Sequence, residues 1–424
     1  MLFRSTPSMG RIRLNITEGD ETKTADRWVM FVGGGLDPLD TDPTNGVNFG
    51  NAFVVVDIST GKEIFKFHPT RPIPSGGSAL PNVGDMVCDV PSRVAAVDIN
   101  SDGYTDLAYF GDSCGRMWRF DVSMPVEVDG SLSESGPNGN MTMVAEDWTG
   151  KIAYCANTSS ECLNGQNQPK VPTTNLEPIY FAPTIVLDDL GRRHVIFVTG
   201  DRRDPSSTTK SGKLYNFIDD YIPAFLAGGT AVGGQTIKTA TTLISANQVI
   251  DLQAQSGVSG QFISSRGNNF SSTQGEFLVR FPSNLGNPQL GEKGFGVPVV
   301  INRVLIFTTY APEVGAGNPC TSGTGLGRIF ALDFITGVSA LSRIPGVTQS
   351  DILKGTSAQK SVAAGSTVAE GMPTPAQLTF GARGSVLMSV AFTGGPVQGG
   401  SQFIVWELPP LPTRTQTLFW EELL

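Results

Sequence analysis

Histidine is nearly absent from this chain, with two in 424 residues, and the scarcity closes off a good deal of chemistry. His68 and His194 leave little scope for a histidine-based metal site or catalytic triad, and each reads as a strand or turn residue. The five cysteines include no C-x-x-C pair, so a zinc site is not expected. No G-x-S-x-G elbow, H-E-x-x-H helix or phosphate-cradling glycine loop occurs. Nothing approaches the roughly 18 consecutive apolar residues of a membrane helix. Charged residues make up only 16% and sum to −9, which speaks against a nucleic-acid footprint. An acidic, oxygen-rich surface suits hard cations better. Residues 1–20, MLFRSTPSMGRIRLNITEGD, lack the apolar core of a signal peptide. The expectation is either a cytosolic protein or the C-terminal part of a longer secreted one.

What the chain has in abundance is turn chemistry: 50 glycines and 28 prolines, the profile of a turn-dense β protein. Its length gives ample surface to bury. Apolar strand pairs recur along it. RWVMFVGGG goes with NAFVVVDISTGKEIFKF, SRVAAVDIN with LAYFGDSCGRMWRFDVS, and IYFAPTIVLDDLGRRHVIFVTGD with GKLYNFIDD. GFGVPVVINRVLIFTTYAP with GRIFALDFITG, and AQLTFGARGSVLMSVAFTGG with SQFIVWELPP, continue the series. The turns at 56–61 (VDISTG) and 332–337 (LDFITG) are nearly the same turn used twice. Short β units repeated at this spacing predict an all-β fold, a β-propeller of about five or more blades with long irregular inter-blade loops. A β-sandwich is the competing arrangement, and it leaves the repeated D-x-x-T-G turns unexplained. Residues 124–178, 204–275 and 345–375 read as those irregular stretches. The organisation expected is an N-terminal extension or lead-in strand over 1–26 and one propeller domain over 27–424.

One stretch carries chemistry. DINSDGYTD, residues 98–106, places Asp98, Asn100, Asp102 and Asp106 in alternation around a glycine. Calcium takes six to eight oxygen ligands from a loop that curls around it. Asp98, Asn100 and Asp102 fall at positions 1, 3 and 5 of such a curl, and Gly103 at position 6 permits the backbone reversal. Tyr104 offers its carbonyl at position 7, and Asp106 closes the shell at position 9. An EF-hand is excluded, since Tyr109 stands where its twelfth-position Glu belongs and strands flank the loop. The competing reading is an Asx-rich hairpin turn, because Asp, Asn and Gly are also turn residues. Ca2+ is the cofactor expected, and magnesium, which resists dehydration, is the weaker candidate. The other acidic runs, DPLDTDPTNG (37–46) and DDLGRRH (188–194), lack this register and read as turns.

The cysteines bear on the choice between cytosol and export, since disulfides suggest export while reduced, buried thiols are the alternative. Cys155 and Cys162 bracket the short polar stretch ANTSSE and are the expected disulfide. Cys88 and Cys114 flank the acidic loop and Cys320 stands alone, with their pairing left open.

The stretch DINSDGYTDLAYFGDSCGRMWRFDVS resembles the calcium-loop blade of the PilY/PilC family, the type IV pilus tip-associated adhesins. There a calcium loop runs into a strand and then G-D-x-x-G-x-x-W-R-F-D. Gly111, Asp112, Gly115, Trp118, Arg119, Phe120 and Asp121 stand in place. EPIYFAPTIV, VTGDRRDP and GEKGFGVPVVINRVLIFTTYAP are similar to further family segments, in order, over roughly residues 27–340. Gly-Glu-Lys at 291–293 departs from the family's G-E-R, and no Arg-Gly-Asp tripeptide is present. The resemblance implies a modified β-propeller, a bound calcium ion and no catalysis. It implies a role in pilus biogenesis, extension and retraction control, adhesion and twitching motility. The partners it implies are minor pilins of the pilus-tip complex, a further N-terminal adhesive domain and a host or abiotic surface, with the protein at the extracellular pilus tip. Two other classes compete. An integrin-like or lectin-like module would repeat its calcium loop in several blades. A pyrroloquinoline quinone dehydrogenase would use adjacent cysteines, which this chain lacks.

Overall fold

The computed structural model describes residues 5–36, 50–67, 86–129, 148–157, 177–208, 210–234, 236–254, 273–281, 291–312, 325–340, 372–381, 385–393 and 403–408, with short pieces of strand and turn between them. His68, Cys162, Cys320 and the acidic run 37–46 lie outside the described residues. The chain is all-β, a modified propeller built of several mainly antiparallel sheets, and among the described residues one short helix occurs, Ala240–Ser245. Among the described residues no helix is long and apolar enough to cross a membrane. The chain divides into two compact units: residues 1–182 with 219–239 and 417–424, and residues 183–218 with 240–416.

In the first unit, Ser8–Glu18 alternates in the way a half-buried strand must, with Ile12, Leu14 and Ile16 on its core side. It folds back on Glu21–Gly33 through a two-residue connection, Glu18 facing Glu21. Gly19 takes the left-handed φ of 65° that such a tight hairpin needs. Its other edge pairs in parallel with Val126–Asp129, Leu14 opposite Val126. The segment set apart in sequence as an extension or lead-in strand therefore contributes an interior strand. Phe53–Asp57, Glu63–Phe67 and Asn140–Thr142 complete a six-stranded sheet.

The unit's second sheet runs Lys238–Thr239, Thr149–Cys155, Arg116–Asp121, Leu107–Gly111 and Ala95–Val97. Every residue of Leu107–Gly111 and Arg116–Asp121 is buried, so both faces of these strands are covered. Phenylalanines hold the core: the Phe53 ring lies 5.0 Å from Phe110 and 4.7 Å from Phe120, and Phe67 lies 4.8 Å from Phe120. Offset and edge-to-face aromatic pairs at these separations add stability beyond the area they bury.

Among the described residues the second unit carries three sheets. One is ordered Thr184–Leu187, Arg193–Val198, Lys213–Asp219, Phe277–Arg280, Val249–Ala254 and Phe262–Arg266. Another is built on Val304–Ala311 and Leu326–Asp333, paired over eight residues, and the third on Gln377–Phe380, Val386–Ala391 and Phe403–Leu408. The strand pairs read from sequence are found as strands. The long stretches read as irregular are less so, since strands Val126–Asp129, Thr149–Cys155, Val249–Ala254 and Phe262–Arg266 fall inside them. Their polar content hid them, although only Phe262–Arg266 is a sheet edge and the other three are paired on both sides: strand formation follows packing against neighbours more than composition.

Candidate metal centre

The 98–106 loop joins Ala95–Val97 to Leu107–Gly111, two strands paired with Val97 opposite Leu107. The backbone closes it through the Asp106 N–H, which donates to the Val97 carbonyl (2.8 Å). Two residues in the curl are left-handed, Ser101 at φ 60° and Gly103 at φ 88°. The glycine pays no Cβ penalty for that conformation. The curl turns the donor side chains toward the loop's own amides. Asp98 accepts from the N–H of Asp102 (3.2 Å) and of Gly103 (2.7 Å), Asn100 Oδ1 from Asp102 N–H (3.1 Å), and Asp102 Oδ1 from Tyr104 N–H (3.0 Å). Asp106 Oδ2 accepts from Ile99 N–H across the loop (2.9 Å).

Burial separates the carboxylates. Asp106 is fully buried, whereas Asp102 is exposed. Burial pushes the Asp106 carboxyl up to about 6, with Asp102 and Asp98 adding to the rise and the Ile99 N–H and Arg13 opposing it. Partial burial pushes Asp102 the same way, but the Asn100 amide, the Tyr104 N–H and Arg13 outweigh it and hold this carboxyl below its ordinary value.

The structure brings one group to the loop that the sequence did not announce. Arg13, on Ser8–Glu18, donates through Nη2 to Asp102 Oδ2 and through Nη1 to Asp106 Oδ1 (3.3 Å) and the Ser123 carbonyl (3.2 Å). Its guanidinium lies 4.7 Å from the Tyr104 ring and 4.0 Å from the Phe225 ring. Arg11 covers Tyr104 as well, at 4.9 Å, and pairs with Asp26. The Tyr104 ring is thus engaged by two cations, and its carbonyl is the group it has to offer a metal. The strand comes this close because residue 10 is glycine: a Cβ there would collide with Thr105 Oγ1 and the Phe31 ring. Thr105 N–H donates to the Arg11 carbonyl at 2.8 Å. The only sequence signal for this was the R-I-R alternation, which sets Arg11 and Arg13 on one face of the strand.

The donor chemistry fits a hard cation, with carboxylate, amide and carbonyl oxygens on a curl that has a left-handed glycine at the reversal. A cation already touches two of the carboxylates, in the form of the Arg13 guanidinium. Among the described residues no three His, Cys, Asp or Glu side chains are gathered as a metal cage. A carboxylate can keep its amide donors and still offer lone pairs to a cation, so occupancy by calcium would require Asp102 and Asp106 to part from Arg13.

The next residues of the blade do structural work. Asp112 is fully buried and accepts from the N–H groups of Cys114 (3.0 Å) and Arg116 (2.9 Å), from Arg116 Nε (2.7 Å) and from the Trp118 indole (2.9 Å). Arg119 pairs with Asp219 at 2.6 Å. Asp121 accepts from Ser123, from the Tyr221 hydroxyl (2.9 Å) and from Ala224 N–H (2.7 Å), which fixes the segment that sets Phe225 over Arg13. A disulfide joins Cys88 and Cys114, one on each side of the loop. Cys155 is also disulfide-bonded, while its expected partner Cys162 lies outside the described residues.

No protein-family model matches the chain. The type IV pilus biogenesis factor PilY1 of Pseudomonas aeruginosa is 25% identical over 330 residues, covering 73% of this chain and 24% of that protein. A PilY1 homolog from Xylella fastidiosa is 22% identical over 317 residues, 75% of this chain and 18% of the relative. The crystal structure of the P. aeruginosa PilY1 C-terminal domain superposes with a TM-score of 0.51 at 18% identity, over 96% of this chain and 73% of that domain. The chain is PilY1-like, with the fold of a PilY1 C-terminal domain. It spans about a fifth to a quarter of the length of these curated relatives. Asp112, Trp118, Arg119 and Asp121 are here the blade's internal scaffold, and the 98–106 loop is what that scaffold presents.

Proposed function

We propose that this domain serves type IV pilus biogenesis as a non-catalytic, calcium-binding propeller, displayed with the pilus at the cell surface. What supports the biological role is the likeness to PilY1 proteins, which are pilus biogenesis factors by name, over three quarters of the chain. What supports calcium is one observation: four oxygen-bearing side chains at alternate positions of a loop whose backbone reverses at a left-handed glycine. Asp98, Asn100, Asp102 and Asp106 would supply side-chain oxygens and Tyr104 its carbonyl. Three carboxylates within nine residues repel one another, and a bound divalent cation relieves that repulsion. Binding to the folded state alone then stabilises the domain by mass action.

Calcium occupancy on this reading tunes how the domain supports pilus extension, retraction and twitching, through minor pilins at the pilus tip and through adhesion to a surface. Titration calorimetry on chelator-treated protein is the test, with melting temperature measured beside it. The expected outcome is a calcium heat and a raised melting temperature, both abolished by the double change Asp98→Asn with Asp102→Asn and weakened less by Asn100→Ala. No heat and no shift in the wild-type domain would reduce the loop to an Asx-rich turn. Complementation of a pilus-deficient strain by wild type and by the double variant reads the biological half.

A further inference from the structure

Resting on the calcium reading above, we infer that Arg13 is a built-in competitor for the metal, a tethered cation that calcium must displace from Asp102 and Asp106. Its Nη2 holds Asp102 and its Nη1 reaches Asp106 Oδ1 at 3.3 Å, the fifth- and ninth-position oxygens of the loop. Both carboxylates belong to the set the loop would offer calcium. A guanidinium and a calcium ion cannot share them, because two cations a few ångströms apart repel strongly in a partly buried site.

The guanidinium has somewhere to remain when it lets go. The Ser123 carbonyl accepts from Nη1 at 3.2 Å, and the Phe225 ring lies 4.0 Å away and Tyr104 4.7 Å away, so the charge keeps a hydrogen bond and two aromatic faces. Phe225 is itself 42% exposed, on a turn anchored to the blade by Asp121 and Ser123. Filling the loop therefore changes what Arg13 pulls on and bears on an exposed aromatic outside the loop. Arg13 sets the calcium concentration at which this happens. In the metal-free domain it also does the metal's electrostatic work, neutralising a buried Asp106 that would otherwise lack a cation.

Arg13→Gln removes the charge and keeps much of the buried stem; Arg13→Lys keeps the charge but loses the forked grip on two carboxylates. Competition predicts that both variants bind calcium more tightly than wild type, Gln by roughly tenfold or more and Lys by less, from the size of the cation–cation repulsion removed. It also predicts a larger gap between melting temperatures in calcium and in chelator, since the metal-free form loses its internal counter-ion. Calorimetric affinity and the two melts are read on each protein, and if Gln fails to fold the Lys comparison decides alone. Affinity unchanged or lowered in the folded variants makes Arg13 a support for the ligands and overturns the competition. No calcium binding by wild type or by either variant overturns the calcium reading itself, a result distinguishable from the first.

Discussion

The turns at Asp112 and Asp188 are spelled alike but for the last letter, D-x-x-G-R-x-W and D-x-x-G-R-x-H, and lie in different units of the molecule. In each the aspartate N–H donates to the arginine carbonyl at 3.0 Å, the glycine is left-handed (φ 83° at Gly115, 74° at Gly191), and the carboxylate gathers the arginine's N–H and Nε. They differ in surroundings and in the last letter. Arg116 is fully buried and Trp118 supplies an indole donor, whereas the Arg192 side chain keeps 28% of its exposure and His194 stands where the tryptophan would be. One motif can therefore be an uncompromising core element or a partly solvated one. A carboxylate that satisfies only buried donors has no substitute, while one that shares its donors with water does.

Replacement of the two aspartates should separate them most sharply. Asp112→Ala strands a buried guanidinium, an indole and two amides, a change of the kind that costs about 3–5 kcal/mol, and the expected result is a domain that fails to accumulate or melts far below wild type. Asp188→Ala should cost about 1–2 kcal/mol, because water reaches Arg192, and thermal melts of purified protein check it. Equal losses would erase the distinction.

The last letter supplies a pH test. His194 is buried, which pushes its imidazole below the ordinary value against the pull of Asn216 and Asp188, with the Arg192 charge adding to the depression. Nδ1 lies 2.9 Å from Asn216 Oδ1, and the amide of Asn216 is spent on the carbonyls of Gly275 and Phe334. The neutral imidazole is favoured in the fold, so the unfolded chain binds more protons. Stability should be full above about pH 6.5 and fall as the pH drops from there through the folded value, by about 1.4 kcal/mol per unit of depression. Melting temperature followed from pH 8 to 5 should show this slope in wild type and lose it in His194→Gln. The Trp118 indole has no titration in that range.

The smallest effect belongs to the other repeated turn. Asp57 accepts from both the N–H and the hydroxyl of Ser59, while Asp333 accepts from the N–H groups of Ile335 and Thr336 and pairs with Arg303 and Arg343. Ser59→Ala should cost under about 1 kcal/mol, since the amide donor survives. A larger loss, measured by denaturant titration, would give the hydroxyl a weight that its exposed position does not suggest.

What could be read in advance was what is local. The strand pairs, the D-x-x-T-G turns and the donor register of 98–106 each fit within a few residues of chain, and local spacing expresses them fully. Arg13 could not be read this way, because 89 residues separate it from Asp102 and only the sheet brings them together. The same holds for Phe225 over Arg13, and for the parallel pairing of Leu14 with Val126 that makes an interior strand of a segment resembling a lead-in. The polar strands inside the supposed loops were missed for a different reason: their stability comes from pairing with neighbours, which composition does not display.

The Cys88–Cys114 bridge, with a sequence separation of 26, encloses the whole of the 98–106 loop in a covalent ring. Closing a ring of that size removes about 3–4 kcal/mol of chain entropy from the unfolded state. The ring also holds Ala95–Val97 and Leu107–Gly111 within one short closed segment, so a chain oxidised early enters folding with this strand pair already confined. Biosynthetic order then matters: thiol oxidation first lets the two strands pair inside a short ring, whereas a reduced chain must bring them together from an open one. Two copies of identical sequence, matured in different redox surroundings, would start down different folding routes.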